Sequence, residues 1–365
     1  MVSKLIIRPT SDWLPQTNGP IIISGPCSAE SSEQMLETAQ QLARTKKVDI
    51  LRAGIWKPRT RPNAFEGIGA EALQWLAKAG EVTGLPTSTE VATAQHVEQA
   101  LKAGIDILWI GARTSTNPFS VQEIADSLNG VDIPVLVKNP INPDLNLWIG
   151  ALERINNAGI NKIGAIHRGF STFHQQYRNA PLWEIPLKLK TLFPELPIIN
   201  DPSHISGTRE HLFSVSQKAM DLDMDGLMIE SHIDPDSALS DPKQQITPTK
   251  LIKLFNNLHF RSARSDSKSY NTQLEELRSD IDRIDLELFA LIANRMKITE
   301  EIGRYKKEND VTPFQLNRWK EIIETRQPFA VSKGLDPNFA DRILQLLHDE
   351  SIKIQSKILN PHQKS

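Results

Sequence analysis

Ile21-Ile22-Ile23-Ser24-Gly25-Pro26-Cys27-Ser28-Ala29-Glu30 joins three β-branched residues to a polar cluster that contains the chain's only cysteine. A short β-branched run closed by Gly-Pro reads as a buried strand ending in a reactive loop. The same unit recurs along the chain, with strand-like runs at 21–24, 49–55, 86–89, 107–110, 134–137, 162–166, 197–200 and 226–229. Helix-length stretches such as 32–46, 70–84, 92–103 and 118–128 lie between them. Strand and helix in strict alternation predict an α/β fold with a parallel sheet. Eight units within about 255 residues predict a (β/α)8 barrel rather than an open doubly wound sheet. No run is followed by G-x-G-x-x-G, which argues against a dinucleotide-binding domain.

Composition narrows the class. The chain has 365 residues, 39% of them hydrophobic, with 42 Lys and Arg against 44 Asp and Glu. That balance gives no basic footprint for nucleic acid or a membrane surface. The longest apolar runs are strand-sized, short of the roughly 20 residues a membrane helix needs. Met1-Val2-Ser3-Lys4-Leu5 lacks the apolar core and cleavage site of a signal peptide. A lone cysteine forms no internal disulfide and needs no oxidising compartment. The expectation is a cytoplasmic protein with neither nucleic acid nor membrane as partner.

Past the eighth strand the composition changes. Residues 261–271 are polar, rich in Ser and charge, and without apolar period, so 259–271 reads as a linker between domains at 1–258 and 272–365. Leu274, Leu277, Ile281, Ile284, Leu288, Leu291 and Ile292 then recur at three- and four-residue steps, one face of a helix. No proline interrupts 272–312, so that helix extends over some 35 residues, roughly 50 Å. A domain of this size cannot bury such a helix against itself, which predicts a homodimer or larger assembly. Helical stretches at 313–327 and 337–359 follow, making the second domain all-α.

In a (β/α)8 barrel, catalytic groups sit where strands end. The informative polar residues of the first domain fall there: Arg52, then Lys57-Pro58-Arg59-Thr60, Gly111-Ala112-Arg113, Lys138-Asn139-Pro140, His167-Arg168-Gly169, Asp201-Pro202-Ser203-His204 and Glu230-Ser231-His232. All these side chains are expected to converge on one mouth. Six unpaired cations (Arg52, Lys57, Arg59, Arg113, Lys138 and Arg168) call for an anion of several charges. A single cysteine is ordinarily a small buried hydrophobe. With His204, Glu230 and Asp241 it becomes a ligand set for a divalent transition metal. The residues themselves read as a metal-assisted enzyme acting on phosphorylated or carboxylated small molecules.

Taken in order, Gly25-Pro26-Cys27-Ser28, Lys57-Pro58-Arg59-Thr60, Gly111-Ala112-Arg113, Lys138-Asn139-Pro140, His167-Arg168-Gly169 and Asp201-Pro202-Ser203-His204 resemble the type I 3-deoxy-D-arabino-heptulosonate 7-phosphate (DAHP) synthases, in the subfamily shared with 3-deoxy-D-manno-octulosonate 8-phosphate synthase. The resemblance implies condensation of phosphoenolpyruvate with erythrose 4-phosphate and release of phosphate, in aromatic amino acid biosynthesis. It assigns Arg52, Lys57, Arg113, Lys138 and Arg168 to phosphoenolpyruvate, and Arg59 and Thr60 to the aldose phosphate. It gives Cys27, His204, Glu230 and Asp241 to the metal, most often manganese in the family, with zinc, cobalt or iron as alternatives. Lys57 is the candidate for proton transfer. The Pro-Arg-Thr form of the second motif favours the four-carbon aldose over the arabinose 5-phosphate of the sister enzyme.

The second domain resembles the all-helical chorismate mutases. Leu277-Arg278, Ile281, Ile284-Asp285, Leu288, Leu291, Arg295, Gly303, Lys306, Arg318, Ser351 and Gln355 follow that family's spacing. The resemblance implies rearrangement of chorismate to prephenate, with Arg278, Arg295, Lys306 and Gln355 catalytic and Arg318 and Ser351 binding substrate. Arg295 and Lys306 are three turns apart and share a face. Arg278 points elsewhere, as expected of an arginine lent to a partner's site. Gln355 and Lys306 are expected to hydrogen-bond the ether oxygen. Trp319 and Gln315 stand where the family often has acids, which leaves recognition of the substrate hydroxyl open and keeps a prephenate- or chorismate-sensing module as the alternative. The barrel begins almost at once, with no room for the ferredoxin-like regulatory domain of some relatives, so feedback by prephenate is expected to act through the helical domain.

Overall fold

The computed structural model describes residues 4–14, 19–57, 65–172, 176–261 and 265–361. Two compact units divide the chain, residues 1–263 and 264–365.

The first unit is a closed parallel barrel in the order of the sequence. Its strands are β1 (Ile21–Gly25), β2 (Ile50–Arg52), β3 (Thr87–Val91), β4 (Ile107–Ile110), β5 (Val135–Lys138), β6 (Ile163–His167), β7 (Ile198–Asn200) and β8 (Gly226–Glu230). Closure is made by β8 against β1, with Ile21 opposite Gly226 and Gly25 opposite Glu230. β2 is shorter than its apolar run, because the chain leaves the sheet at Ala53.

Alternation along each strand separates two cores. Ile21, Ile23, Ile50, Ile107, Trp109, Leu136, Ile166, Ile199 and Met228 pack inside the barrel, with Leu14 and Trp13 against them. Ile22, Leu51, Leu108, Val135, Val137, Ile163, Ala165, Ile198, Leu227 and Ile229 face the surrounding helices. Counting on by two from the inner set gives Arg52, Lys138, Arg168 and Glu230. The period that buries the strands therefore aims these four charges into the barrel.

His167 lies one step out of phase. Its ring packs edge-on to Trp183, with centroids 5.1 Å apart, and its Nε2 donates to the Pro181 carbonyl at 2.7 Å. The expectation that it joins the mouth is therefore corrected.

The second unit has helices Lys268–Glu308, Leu316–Ser332 and Pro337–Leu359. The long helix starts inside the stretch expected as a linker, capped by the Ser267 side chain on the Tyr270 amide. It buries only Thr299 and Gly303 within the chain. The second helix begins and ends later than expected, running through Pro328. No helix among the described residues is long and apolar enough to cross a membrane.

Candidate active sites

The mouth of the barrel is assembled from the strand ends. Gly25 has φ +153°, and a Cβ there would stand 2.0 Å from the Arg52 carbonyl oxygen, so only glycine lets the chain turn towards Cys27. The Cys27 carbonyl then accepts from Gly54 N at 3.1 Å, Arg52 Nη2 at 3.2 Å and Lys57 Nζ at 2.7 Å. Its amide donates to Gln245 Oε1 at 2.8 Å, and its thiol lies 3.0 Å from Ser240 Oγ and 3.3 Å from Asp241 Oδ2. Ligand atoms of Cys27, Glu230 and Asp241 all fall within 4.8 Å of one another.

Asp-Pro-Ser-His is a helix start that also orients a ligand. Asp201 caps the short helix Pro202–Ser206, accepting from the His204 amide at 3.1 Å, while His204 Nδ1 lies 3.0 Å from the same oxygen. Ser203 Oγ accepts from the Glu230 amide at 3.0 Å, tying the β7 loop to β8. The remaining ring nitrogen, Nε2, is 3.7 Å from Glu230 Oε1. A histidine whose Nδ1–H is held by a carboxylate presents the other nitrogen as a metal ligand.

The electrostatics favour a cation among these groups. Burial, with the Glu230 carboxylate next, pushes the Cys27 thiol up to about 12. Burial also lowers His204 from its ordinary value. It works to raise Asp241, Glu230 and Asp201, but neighbouring cations outweigh it and hold all three below the usual carboxylate range: Arg178 foremost at Asp241, His204 at Glu230 and Asp201. One soft sulfur, one imidazole and two carboxylates fit a divalent transition metal by donor chemistry.

The cations are not unpaired, contrary to expectation. Arg52 Nη1 is 3.2 Å from Glu230 Oε1, with both side chains almost wholly buried. Lys138 Nζ is 2.7 Å from Asp201 Oδ2. Arg168 Nη1 donates to Asn179 Oδ1 at 2.8 Å. A charge taken out of water needs a partner or a hydrogen-bond shell, and the barrel supplies these from neighbouring strands. Arg113 stands at the end of β4 with its side chain exposed. Burial tends to lower Lys57, yet Cys27 and Glu230 more than reverse this, so its ammonium is held above its usual value. Arg59 and Thr60 lie outside the described residues.

Three contributors were missed in the sequence. Glu90 points inward from β3, accepting from Trp109 Nε1 at 3.2 Å, and the absence of a side chain at Gly111 makes room for it. Trp109 floors the mouth, 4.9 Å below the Arg52 guanidinium and 5.7 Å from Lys138 Nζ. Arg178 reaches Asp241 Oδ1 at 3.1 Å. The inward parity of Glu90 and Trp109 on their strands was available as a signal; nothing local marked Arg178.

The helical unit holds a cavity of about 320 Å³ lined by Arg295, Lys306, Arg318, Ser351 and Gln355, with Gln315 and Trp319 on its wall. Arg295 Nη1 donates to Ser351 Oγ at 2.7 Å and to the Leu347 carbonyl at 3.1 Å. Lys306 Nζ donates to the Pro313 carbonyl at 2.6 Å. Gln355 Oε1 is buried with no hydrogen-bond partner. A Cβ at Gly303 would stand 2.9 Å from Ile358 Cδ1, so glycine lets the first and third helices close behind the pocket. Trp319 stacks on His348, ring centroids 4.1 Å apart. Arg278 is not in this cavity; it is exposed, 3.8 Å from Glu275.

Fold and site together define a (β/α)8 barrel that gathers cations around a thiol–imidazole–carboxylate cluster, followed by a helical unit with a cationic pocket. Residues 11–260 match the DAHP synthetase I family, and the chain belongs to that family. Residues 277–356 match chorismate mutase type II. The phospho-2-dehydro-3-deoxyheptonate aldolase of Thermotoga maritima is 35% identical over 226 residues, covering 62% of this chain and 64% of that protein. The chain thus spans just under two thirds of that relative's length. A 2-dehydro-3-deoxyphosphooctonate aldolase of Caulobacter vibrioides is 27% identical over 65% of this chain and 85% of its own. The solved structure of the Thermotoga maritima DAHP synthase superposes with a TM-score of 0.60 at 32% identity, covering 66% of this chain and 68% of that one.

Proposed function

We propose that the chain is a bifunctional enzyme of aromatic amino acid biosynthesis, condensing phosphoenolpyruvate with erythrose 4-phosphate in the barrel and converting chorismate to prephenate in the helical unit. The observation that carries the first activity is the convergence of Arg52, Lys57, Lys138 and Arg168 on the mouth that holds Cys27, Glu230 and Asp241. Arg52, Lys57, Arg113, Lys138 and Arg168 grip the carboxylate and phosphate of phosphoenolpyruvate, and Arg59 with Thr60 takes the phosphate of the aldose. Guanidinium forks suit these oxygens, and fixed cations stabilise negative charge as it develops at the phosphate. Lys57, protonated against the Cys27 carbonyl, is placed to deliver a proton. Cys27, His204, Glu230 and Asp241 hold a divalent metal, manganese before zinc, cobalt or iron. Such a metal supplies Lewis acidity to the aldehyde oxygen when bound.

In the helical pocket Arg295, Arg318 and Ser351 bind the two carboxylates, while Lys306 and Gln355 donate to the ether oxygen as it gains charge. Arg278 serves the pocket of a second copy. Leu277, Ile281, Ile284, Leu288 and Leu291 are each at least half exposed, a face that a second copy covers. Prephenate bound in this unit inhibits the condensation. The protein works in the cytoplasm.

Paired assays on the full-length chain test the reading: loss of phosphoenolpyruvate with erythrose 4-phosphate, and loss of chorismate, each with and without chelator. Arabinose 5-phosphate serves as the control aldose, because octulosonate-forming relatives also resemble this barrel. Faster turnover with arabinose 5-phosphate overturns the substrate assignment. Chorismate binding without turnover makes the helical unit a sensor.

A further inference from the structure

The loop after β8 carries a buried side chain that no catalytic role accounts for. Gln244 is 1% exposed and lies between the mouth cluster and Arg178. Its Nε2 donates to Glu230 Oε2 at 2.7 Å, and its Oε1 accepts from Arg178 Nη1 at 2.8 Å. Chemistry at both ends settles the orientation of the amide. A guanidinium only donates and a carboxylate only accepts, so a flipped amide would set donor against donor and acceptor against acceptor.

This engages one oxygen of Glu230 and leaves the other, Oε1, on the side of His204 Nε2 and Arg52. Arg178 also donates to Asp241 Oδ1, and Asp241 Oδ2 lies against the Cys27 thiol. The loop itself is secured elsewhere. Ser231 and Ile246 bridge its base, and Gln245 ties it to the Cys27 amide and the Ser240 carbonyl. Gln244 is therefore not needed to close the loop, and its amide is spent on a ligand carboxylate.

We propose that Gln244, its amide oriented by Arg178, is a positioning residue that makes Glu230 present a single oxygen, Oε1, to a metal held by the mouth cluster. This rests on the metal-site reading above. Without the Gln244 donor, Oε2 turns inward and Glu230 chelates with both oxygens, raising the coordination number.

The test is titration of the full-length, metal-free chain with Co²⁺, followed by calorimetry and visible absorption. Gln244→Met removes both hydrogen bonds at nearly constant volume and without changing charge. We expect Co²⁺ affinity to fall about 10- to 100-fold, the cost typical of losing a partner behind a metal ligand. At saturation the d–d bands should lose intensity, as they do when Co²⁺ gains a ligand atom. Arg178→Met, at a partly exposed position, should give the same spectral change with Gln244 still present, and it serves if Gln244→Met fails to fold. Wild-type affinity and spectrum in both variants overturn the proposal, as does a lower melting temperature with the Co²⁺ spectrum unaltered. A wild-type chain that binds no Co²⁺ overturns the metal reading as well, which distinguishes the two failures.

Discussion

His204 Nδ1 stands 3.0 Å from Asp201 Oδ1, and the same carboxylate holds Lys138 Nζ at 2.7 Å through its other oxygen. One buried acid therefore orients a candidate ligand and neutralises a candidate substrate-binding cation. Asp201→Asn weakens both. Retention of Mn²⁺, measured by calorimetry, should fall about 10- to 100-fold. Unaltered Mn²⁺ affinity would show that His204 needs no such anchor.

His167 makes barrel stability depend on pH. Burial pushes its pKa down to about 4, and both ring nitrogens are already engaged in the neutral form: Nε2 donates to the Pro181 carbonyl and Nδ1 accepts from Asn200 Nδ2. Between pH 6.5 and 4 the unfolded chain binds a proton that the folded chain refuses, so stability falls as pH falls through that window. The loss approaches about 3 kcal/mol at most. Urea unfolding followed by tryptophan fluorescence reads mainly the barrel, since Trp319 alone lies in the helical unit. His167→Gln keeps a donor to Pro181 and should flatten the slope. An identical slope in the variant would assign the pH dependence to other groups.

Arg168 is anchored by Asn179 and by its own amide on Asn139 Oδ1 at 2.7 Å, which fixes the guanidinium in the mouth. Removing a charge-assisted contact to a buried anion costs about 2 to 5 kcal/mol. Arg168→Ala should therefore lower kcat/KM for phosphoenolpyruvate at least tens of fold and leave chorismate turnover unchanged. Nearly wild-type condensation kinetics would remove Arg168 from the substrate site.

Arg295→Ala is the converse experiment. Ser351 Oγ and the Leu347 carbonyl lose their shared donor, and the pocket loses a cation. Chorismate turnover should drop by two orders of magnitude or more, at about 1.4 kcal/mol per tenfold. Condensation should persist, and a chelator that stops condensation should spare the mutase. Inhibition of both activities by the chelator would contradict separate sites.

Coupling is tested with prephenate. If the exposed apolar face of the long helix is covered by a second copy, ligand bound there biases one arrangement of the assembly. Prephenate should inhibit condensation by the full chain and not by a chain ending near Arg261, and the two should differ in oligomeric state by light scattering. Equal inhibition of both would put the effector site in the barrel.

Much of this was legible in the residues. Cys27, Glu230, Arg52 and Lys138 sit at or just past the ends of apolar runs, and period-two alternation within a strand is a local property of the backbone. His167 misled because it belongs to a strand-end motif, although its parity is that of Ala165, which faces the helices. Glu90 escaped notice because β3 reads Thr87-Ser88-Thr89-Glu90-Val91, a polar strand whose burial depends on its neighbours. The second helix of the tail runs past its expected end at 327 with Pro328 inside it, a position where proline removes one backbone donor from the helix.

The amino-acid sequence by itself determined the eightfold strand–helix order, the helical character of residues beyond the linker, and the identity of the groups at each strand end. These follow from spacing, turn residues and apolar period, which act over a few residues. Only the tertiary structure decided which groups meet. Closing β8 on β1 brings Gln245 Oε1 to the Cys27 amide across 218 residues of chain, and Arg52 to Glu230 across 178. The pairing of the mouth's cations, the thiol pushed up by burial and the amide of Gln244 behind Glu230 all arise from that closure. Coulombic and desolvation energies depend on distance in space, and sequence separation carries none of that information.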